Sequence, residues 1–458
     1  MAASHIAFFD RRPQLSSNGY CIFSWRAGER ELPLDLSDRQ RAAIRAALQS
    51  CIGQIKVNNS QFLQYGTATP LLGIDVMLPQ NGLLRKSINE VFGGDEYVIY
   101  EFSLDWISRL LKSSEKYESD RSDVDLVSYK AFAKESVVAK AIVDAFCNLP
   151  NLYKVSFPLP SALSEALVDE LGGRSLGESV RFVASTADEY LPSIPKENNS
   201  TLMGLLAGHY PRWDGRACLL QLDITGFIDT YGKASTATEA IDQIRSFLGL
   251  GIALGYLRYK RSYRSSGLFG GAISRVAYVH RLLDGQWVFD GQIELDSDLS
   301  TALDNVIVAE TNEDNLKLSG EEFVSVAKVA FGVGDESIRI KRSCRWLFDS
   351  HIGMNESLSF LQMMTSLEIL LGDKDSLNGD LRLSELLRNR CAYLVGKSRS
   401  ERDQILKDFR LAYDVRSRIV HAGHSRLATR DKDLFWTLKR LCGKAIAQEI
   451  FMILRGGK

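Results

Sequence analysis

No apolar run in this chain approaches the roughly 20 residues that a membrane-spanning helix needs, so no membrane partner is expected. The seven cysteines stand singly at positions 21, 51, 147, 218, 344, 391 and 442, without a C-x-x-C pair or a histidine spaced for zinc. That pattern fits small buried hydrophobes better than a disulfide frame or a metal site, and neither metal nor cofactor is expected. Also missing are a Walker A loop, a dinucleotide-binding glycine fingerprint and a Gly-x-Ser-x-Gly elbow. Their absence removes the sequence grounds for nucleotide-driven, redox or serine-hydrolase chemistry. There is no internal repeat and no low-complexity tract. Residues 1–12 place His5, Asp10, Arg11 and Arg12 around a short apolar patch at 6–9. Such a segment is no signal peptide, and a cytoplasmic protein is expected.

What is present is ordinary globular bulk, 45% hydrophobic and 25% charged over 458 residues. That length exceeds what one core usually fills, so two or three domains are expected. The net charge is −1, yet residues 381–458 hold 18 Lys and Arg against 8 Asp and Glu. A basic end on a near-neutral chain suits a polyanion-binding module, and it suits a solvated helix surface equally well.

The expected fold class is α+β, a mixed α/β N-terminal region followed by an all-α bundle. The expected domains are 1–150, 151–332 (a mixed β/α sensor or regulatory domain) and 333–458. In the first, residues 20–25, 74–78 and 97–102 read as strands, while 37–52, capped by Ser37, and 131–146 read as helices. In the second, 216–228 reads as a strand and loop and 236–257 as a long apolar helix. Strands follow at 273–283, 286–293 and 305–308, with a hairpin turn at Asp284-Gly285. Between them, Arg258, Lys260, Arg261 and Arg264 alternate with Tyr256, Tyr259 and Tyr263. That composition suits stacking with phosphate contact, hence RNA or partner binding, or else an exposed helix end and loop. Beyond about 332 the pattern is purely helical, in five segments at 336–351, 356–371, 381–395, 400–421 and 432–454. Short connections between them imply antiparallel neighbours.

Three charges break the apolar stripes of this bundle. Ser398-x-x-Glu401 is a capping box for the fourth helix and Gly423 suits its left-handed stop. Advancing about 100° per residue, Arg416 falls in the middle of the face formed by Ile405, Phe409, Ala412 and Ile419. An unpaired guanidinium there would be costly. Glu368 sits among Leu361, Met364, Leu367 and Leu371, and Arg390 among Leu383, Leu387 and Leu394. A buried network is expected in which Glu368 pairs with Arg390, Arg416 or both; a structural ion cluster or polar dimer seam has the same signature. His421 lies five residues beyond Arg416, about 140° around an ideal helix. Convergence of the two therefore needs an opened last turn, a long reach by the arginine, or a second subunit. Asp414, Ser417 and His421 share one face and imitate a hydrolase triad, but they lack the strained elbow that such serines occupy.

The five-helix pattern with Arg416-x4-His421 resembles HEPN domains, whose ribonuclease members carry an Arg-x(4–6)-His motif. Leu367-Glu368-Ile369-Leu370-Leu371, Arg390-Cys391-Ala392-Tyr393-Leu394, Glu401-Arg402 and Tyr413-Asp-Val-Arg-Ser-Arg-Ile-Val-His-Ala-Gly423 are similar to the Apea-like branch found in bacterial antiphage proteins. The likeness covers about the last 120 residues. His421-Ala-Gly-His424 replaces a plain His-Gly ending, and the basic-aromatic stretch lies far upstream. The resemblance implies metal-independent endoribonuclease activity, with Arg416 and His421 catalytic and Glu368, Arg390, Asp414, Ser417 and His424 supporting. It also implies a homodimer through the bundle, an RNA substrate (tRNA among the candidates), and abortive-infection defence with a phage-derived activator acting through the N-terminal region. The chemistry is coherent on its own terms. An imidazole exchanges protons near neutrality and a guanidinium fork suits phosphate oxygens. The alternative is an inactive HEPN module that serves dimerisation and RNA or protein binding.

Overall fold

The structure is a computed structural model that describes residues 33–94, 96–119, 121–186, 216–260, 275–309, 318–372, 380–423 and 426–456. The architecture is α+β. Ser37 opens α1 (Asp38–Ile52): its hydroxyl accepts from Gln40 N at 3.4 Å, and the Gln40 side chain accepts from Ser37 N at 3.0 Å. This reciprocal box satisfies two backbone donors that the helix leaves free. Strands β1 (Lys56–Asn58) and β2 (Phe62–Leu63) follow, then α2 (Leu83–Phe92), α3 (Val98–Ser114), β3 (Val124–Asp125) and α4 (Glu135–Cys147). The three strands form a small antiparallel sheet in the order β2-β1-β3.

Two expected strands of this unit are helical, and the third, 20–25, lies outside the described residues. Residues 74–78 end a 3₁₀ segment, Thr69–Met77, and 97–102 open α3. The cause is nonlocal. The buried Asp75 carboxylate accepts Ile99 N at 2.7 Å and Tyr100 N at 3.2 Å, capping α3 from another part of the chain. A carboxylate at a helix N-terminus also answers the helix dipole. Apolar runs this short do not reveal their period.

From Asn151 the chain builds a five-stranded antiparallel sheet: β4 (Asn151–Pro158), β5 (Val180–Thr186), β6 (Arg216–Gly226), β8 (Val276–Leu283) and β9 (Gln286–Glu294). Its order is β5-β6-β4-β8-β9, and β7 (Leu257–Tyr259) pairs separately with β10 (Val306–Val308). Tyr153, Val155 and Phe157 of the central strand point alternately to the core. Asp284 and Gly285, at φ 49° and 82°, make the tight turn between β8 and β9. Helices α5 (Ser161–Leu171), α6 (Ser235–Ala253), α7 (Ser297–Leu303) and α8 (Gly320–Ala330) accompany this sheet.

The bundle is α9 (Asp335–Ile352), α10 (Glu356–Leu371), α11 (Asp380–Val395), α12 (Arg399–Ala422) and α13 (Thr429–Gly456). Two large apolar cores result among the described residues, besides a small cluster of Val276, Tyr278 and Phe289. One gathers residues from Leu34 to Leu149 with Phe227; the other runs unbroken from Tyr153 in the sheet to Ile450 in the bundle. The core thus does not divide at residue 332. Helix α6 carries it across: Gly249 lies against the Cys344 carbonyl of α9, and Gly443 of α13 lies against the Ala253 carbonyl. Around this seam Asp242 pairs with Arg345 at 2.8 Å, and Arg245 bridges Asp349 and Asp296.

Candidate functional site

Helix α12 begins as its sequence requires, with Glu401 N donating to Ser398 Oγ at 3.2 Å and the Glu401 carboxylate accepting Ser398 N at 3.2 Å. It ends at Gly423, φ 66°, and stays α-helical through His421 and Ala422. Ile405, Phe409, Ala412 and Val415 are buried along its inner face.

Arg416 continues that face but does not go to the interior. Its Nε stands 3.5 Å from Glu368 Oε1 of α10, and the Arg416 side chain keeps 43% of its exposure. Tyr413, one turn earlier, donates its hydroxyl to the same Glu368 oxygen at 3.4 Å. Burial raises the Glu368 carboxyl above its ordinary range, opposed by the Arg416 charge and the Tyr413 hydrogen bond. Burial, and then the neighbouring Glu368, push the Tyr413 phenol up, so it stays a donor.

The expected three-charge network is therefore two separate clusters. Arg390 does not reach Glu368. Its Nη2 donates to Glu449 Oε1 of α13 at 3.1 Å and its Nη1 to the Leu371 carbonyl at 3.2 Å. Arg339 of α9 takes the other Glu449 oxygen at 3.5 Å. Glu449 is buried and was missed at the sequence level. The stripe test would have found it, because it sits among Ala445, Ile446 and Ile450.

His421 is exposed, and so are Asp414 and Ser417. The helix does not open before Gly423, so the about 140° between Arg416 and His421 stands. One chain does not aim both side chains at one point. Beside them Arg418 grips the buried Asp431 of α13 at 3.1 and 3.2 Å, fixing the end of α12 to the start of α13. A groove of about 410 Å³ runs between these helices, lined by Asp408, Asp414, Arg418, Arg430, Asp433 and Thr437. Lys432 reaches Glu356 at 2.7 Å, so the first turn of α10 meets the same end of α13. His424 lies outside the described residues.

The upstream basic-aromatic stretch is partly core. Tyr256 is buried, stacked on Phe323 with centroids 4.2 Å apart, and its hydroxyl donates to Glu170 at 3.0 Å. Arg258 and Lys260 are exposed, on β7 and just after it, and belong to the sheet unit; Arg261 and Arg264 lie outside the described residues. Six cysteines are buried, and burial pushes the Cys218, Cys391 and Cys442 thiols up to about 12, which suits packing over reactivity. Among the described residues no group of three or more His, Cys, Asp or Glu is placed to hold a metal ion, and no helix is long and apolar enough to cross a membrane.

Comparison with known proteins finds no matching family model, no matching curated protein and no matching solved structure.

Proposed function

We propose that the bundle is a HEPN-type, metal-independent endoribonuclease that works as a homodimer. The observation that carries this reading is the half-exposed Arg416 guanidinium, held by Glu368, which Tyr413 also hydrogen-bonds, near the end of a regular helix that presents His421 to solvent. In the reaction the RNA 2′-oxygen attacks phosphorus and the P–O5′ bond breaks. A base accepts the 2′-OH proton and an acid supplies one to the departing 5′-oxygen. His421 fits either proton role, and Arg416 fits the charge that builds on the phosphorane oxygens. The products are a 2′,3′-cyclic phosphate and a 5′-hydroxyl.

One histidine does not easily serve both proton transfers, and here it does not converge with the arginine of its own chain. Two copies would bring two of each together. An exposed apolar side chain beside the site supports that pairing: Val420, next to His421, is 53% exposed. The defence setting, a tRNA substrate, a phage-derived activator and a cytoplasmic location rest on the motif resemblance alone. Control by the N-terminal region has physical support in α6, which the bundle core shares.

A second reading, an inactive module for dimerisation and binding, is favoured by the carboxylates of Asp408, Asp414 and Asp433 along the neighbouring groove, which would repel RNA. The deciding experiment incubates the protein with tRNA and with its all-DNA equivalent in EDTA. RNA cleavage that Arg416→Ala and His421→Ala each abolish is the expected result. Cutting that needs a divalent metal, or equal cutting of DNA, would sink the nuclease reading.

A further inference from the structure

Most aromatic side chains of the bundle are packed away, but Trp436 on the outer face of α13 is 64% exposed. The ring is not loose surface. Phe435, its neighbour in sequence, is anchored against Phe360 at 5.7 Å between centroids, so the turn beneath the indole is fixed to α10. Lys439 Nζ stands 5.0 Å from the indole centroid and 4.2 Å from the Phe435 ring. Around the helix Arg440 lies about 40° to one side of Trp436 and Lys439 about 60° to the other. Arg430 and Arg440 are exposed and have no carboxylate partner among the described residues. Lys432, one turn back, is tied to Glu356. Asp433 is the one acidic residue from Asp433 to Lys444 on this helix. An indole with Lys439 on one side and Arg440 on the other is an arrangement that takes an unpaired base on its face and phosphates at its edge.

The position is also suitable. Asp431, five residues before Trp436, is gripped by Arg418, which is three residues before His421. The indole and the imidazole therefore sit toward the same end of the bundle, the indole about 140° around α13 from the side that faces α12.

We propose that Trp436, with Lys439 and Arg440 beside it, is a stacking platform for an unpaired base of a single-stranded RNA segment. This rests on the reading of the bundle as an RNA-cutting module. A second copy of the chain fits the surface less well, because a twofold contact centred on Trp436 would set Lys439 and Arg440 against their own equivalents.

The test uses the full chain carrying His421→Ala, so that bound RNA stays intact, and a fluorescein-labelled single-stranded oligoribonucleotide read by anisotropy. Adding Trp436→Ala should weaken binding about tenfold, Trp436→Phe should restore it to within about twofold, and a duplex of the same sequence should bind without regard to Trp436. Arg440→Ala should flatten the salt dependence. Unchanged affinity in Trp436→Ala would overturn the platform. So would an equal loss on the duplex, or a shift from dimer to monomer in sedimentation that accounts for the lost binding. Cleavage of RNA by a protein whose binding ignores Trp436 would remove the platform and leave the nuclease. Binding that depends on Trp436 in a protein that never cuts RNA would do the reverse.

Discussion

Arg390 and Arg416 each meet a glutamate across a helix seam, and the two seams are built for different ends. At the first, Glu449 is buried and both its oxygens face guanidinium groups, Arg390 at 3.1 Å and Arg339 at 3.5 Å. Arg390 spends its other terminal nitrogen on the Leu371 carbonyl. At the second, Glu368 receives Arg416 through Nε alone, at 3.5 Å, and Tyr413 at 3.4 Å. Among the described residues the terminal nitrogens of Arg416 have no hydrogen-bond partner. A buried carboxylate with a guanidinium at each oxygen ties α9, α11 and α13 together. A half-exposed guanidinium with donors in reserve can still recognise an anion. The same pair of residue types thus separates into scaffold and candidate chemistry by the burial of the carboxylate and the number of guanidinium groups it holds, not by identity.

The largest expected effect tests the scaffold side. Glu449→Ala leaves two partly exposed guanidinium groups without their buried carboxylate and should cost about 2–3 kcal/mol in urea denaturation. A loss below about 1 kcal/mol would mean that water already serves the cluster. Asp431→Ala stands between the extremes, since Asp431 is buried while its partner Arg418 is not. It should cost about 1–2 kcal/mol and fray the start of α13, visible in amide exchange. Arg416→Ala should cost at most about 1 kcal/mol, because solvent screens a pair this exposed. Under the proposed function it nevertheless abolishes RNA cleavage. A large stability loss with cleavage retained would exchange the roles of the two arginines.

The smallest effect concerns Glu368 itself. Burial holds its folded pKa above the ordinary 4.5 despite Arg416 and Tyr413. The fold therefore favours the protonated form, a contribution present below about pH 4.5 and lost as the pH rises through the raised value. Relative to Glu368→Gln, the parent protein should lose stability over that window and then level off. Denaturation curves from pH 4 to 8 decide it. If the parent gains on the variant instead, the Arg416 charge outweighs burial.

Local pattern made the bundle readable. Helical periodicity, the Ser398 box and the glycine stops lie within a few residues of what they govern, and all five helices fall close to their expected spans. Asp284-Gly285 was legible for the same reason. The opening of α3 was not, because its cap, Asp75, is far off in sequence. Arg416 as a misfit was visible in the stripe, but its exposure depends on where α10 and α12 diverge. That Arg390 would choose Glu449 over Glu368 depends on α13 lying beside α11, which no local pattern encodes. The core shared between sheet and bundle through α6 is likewise a property of packing alone.

The glycine contacts of α6 bear on how the molecule could be divided. Where Gly249 meets the Cys344 carbonyl and Gly443 the Ala253 carbonyl, backbone rests on backbone with no side chain to give way. A fragment starting at residue 333 would lose α6 and lay bare the apolar flanks of α9 and α13 around Cys344, Leu347 and Ile446. The helical bundle is thus one half of a single packed body with the sheet, and a cut at residue 333 passes through its core rather than beside it.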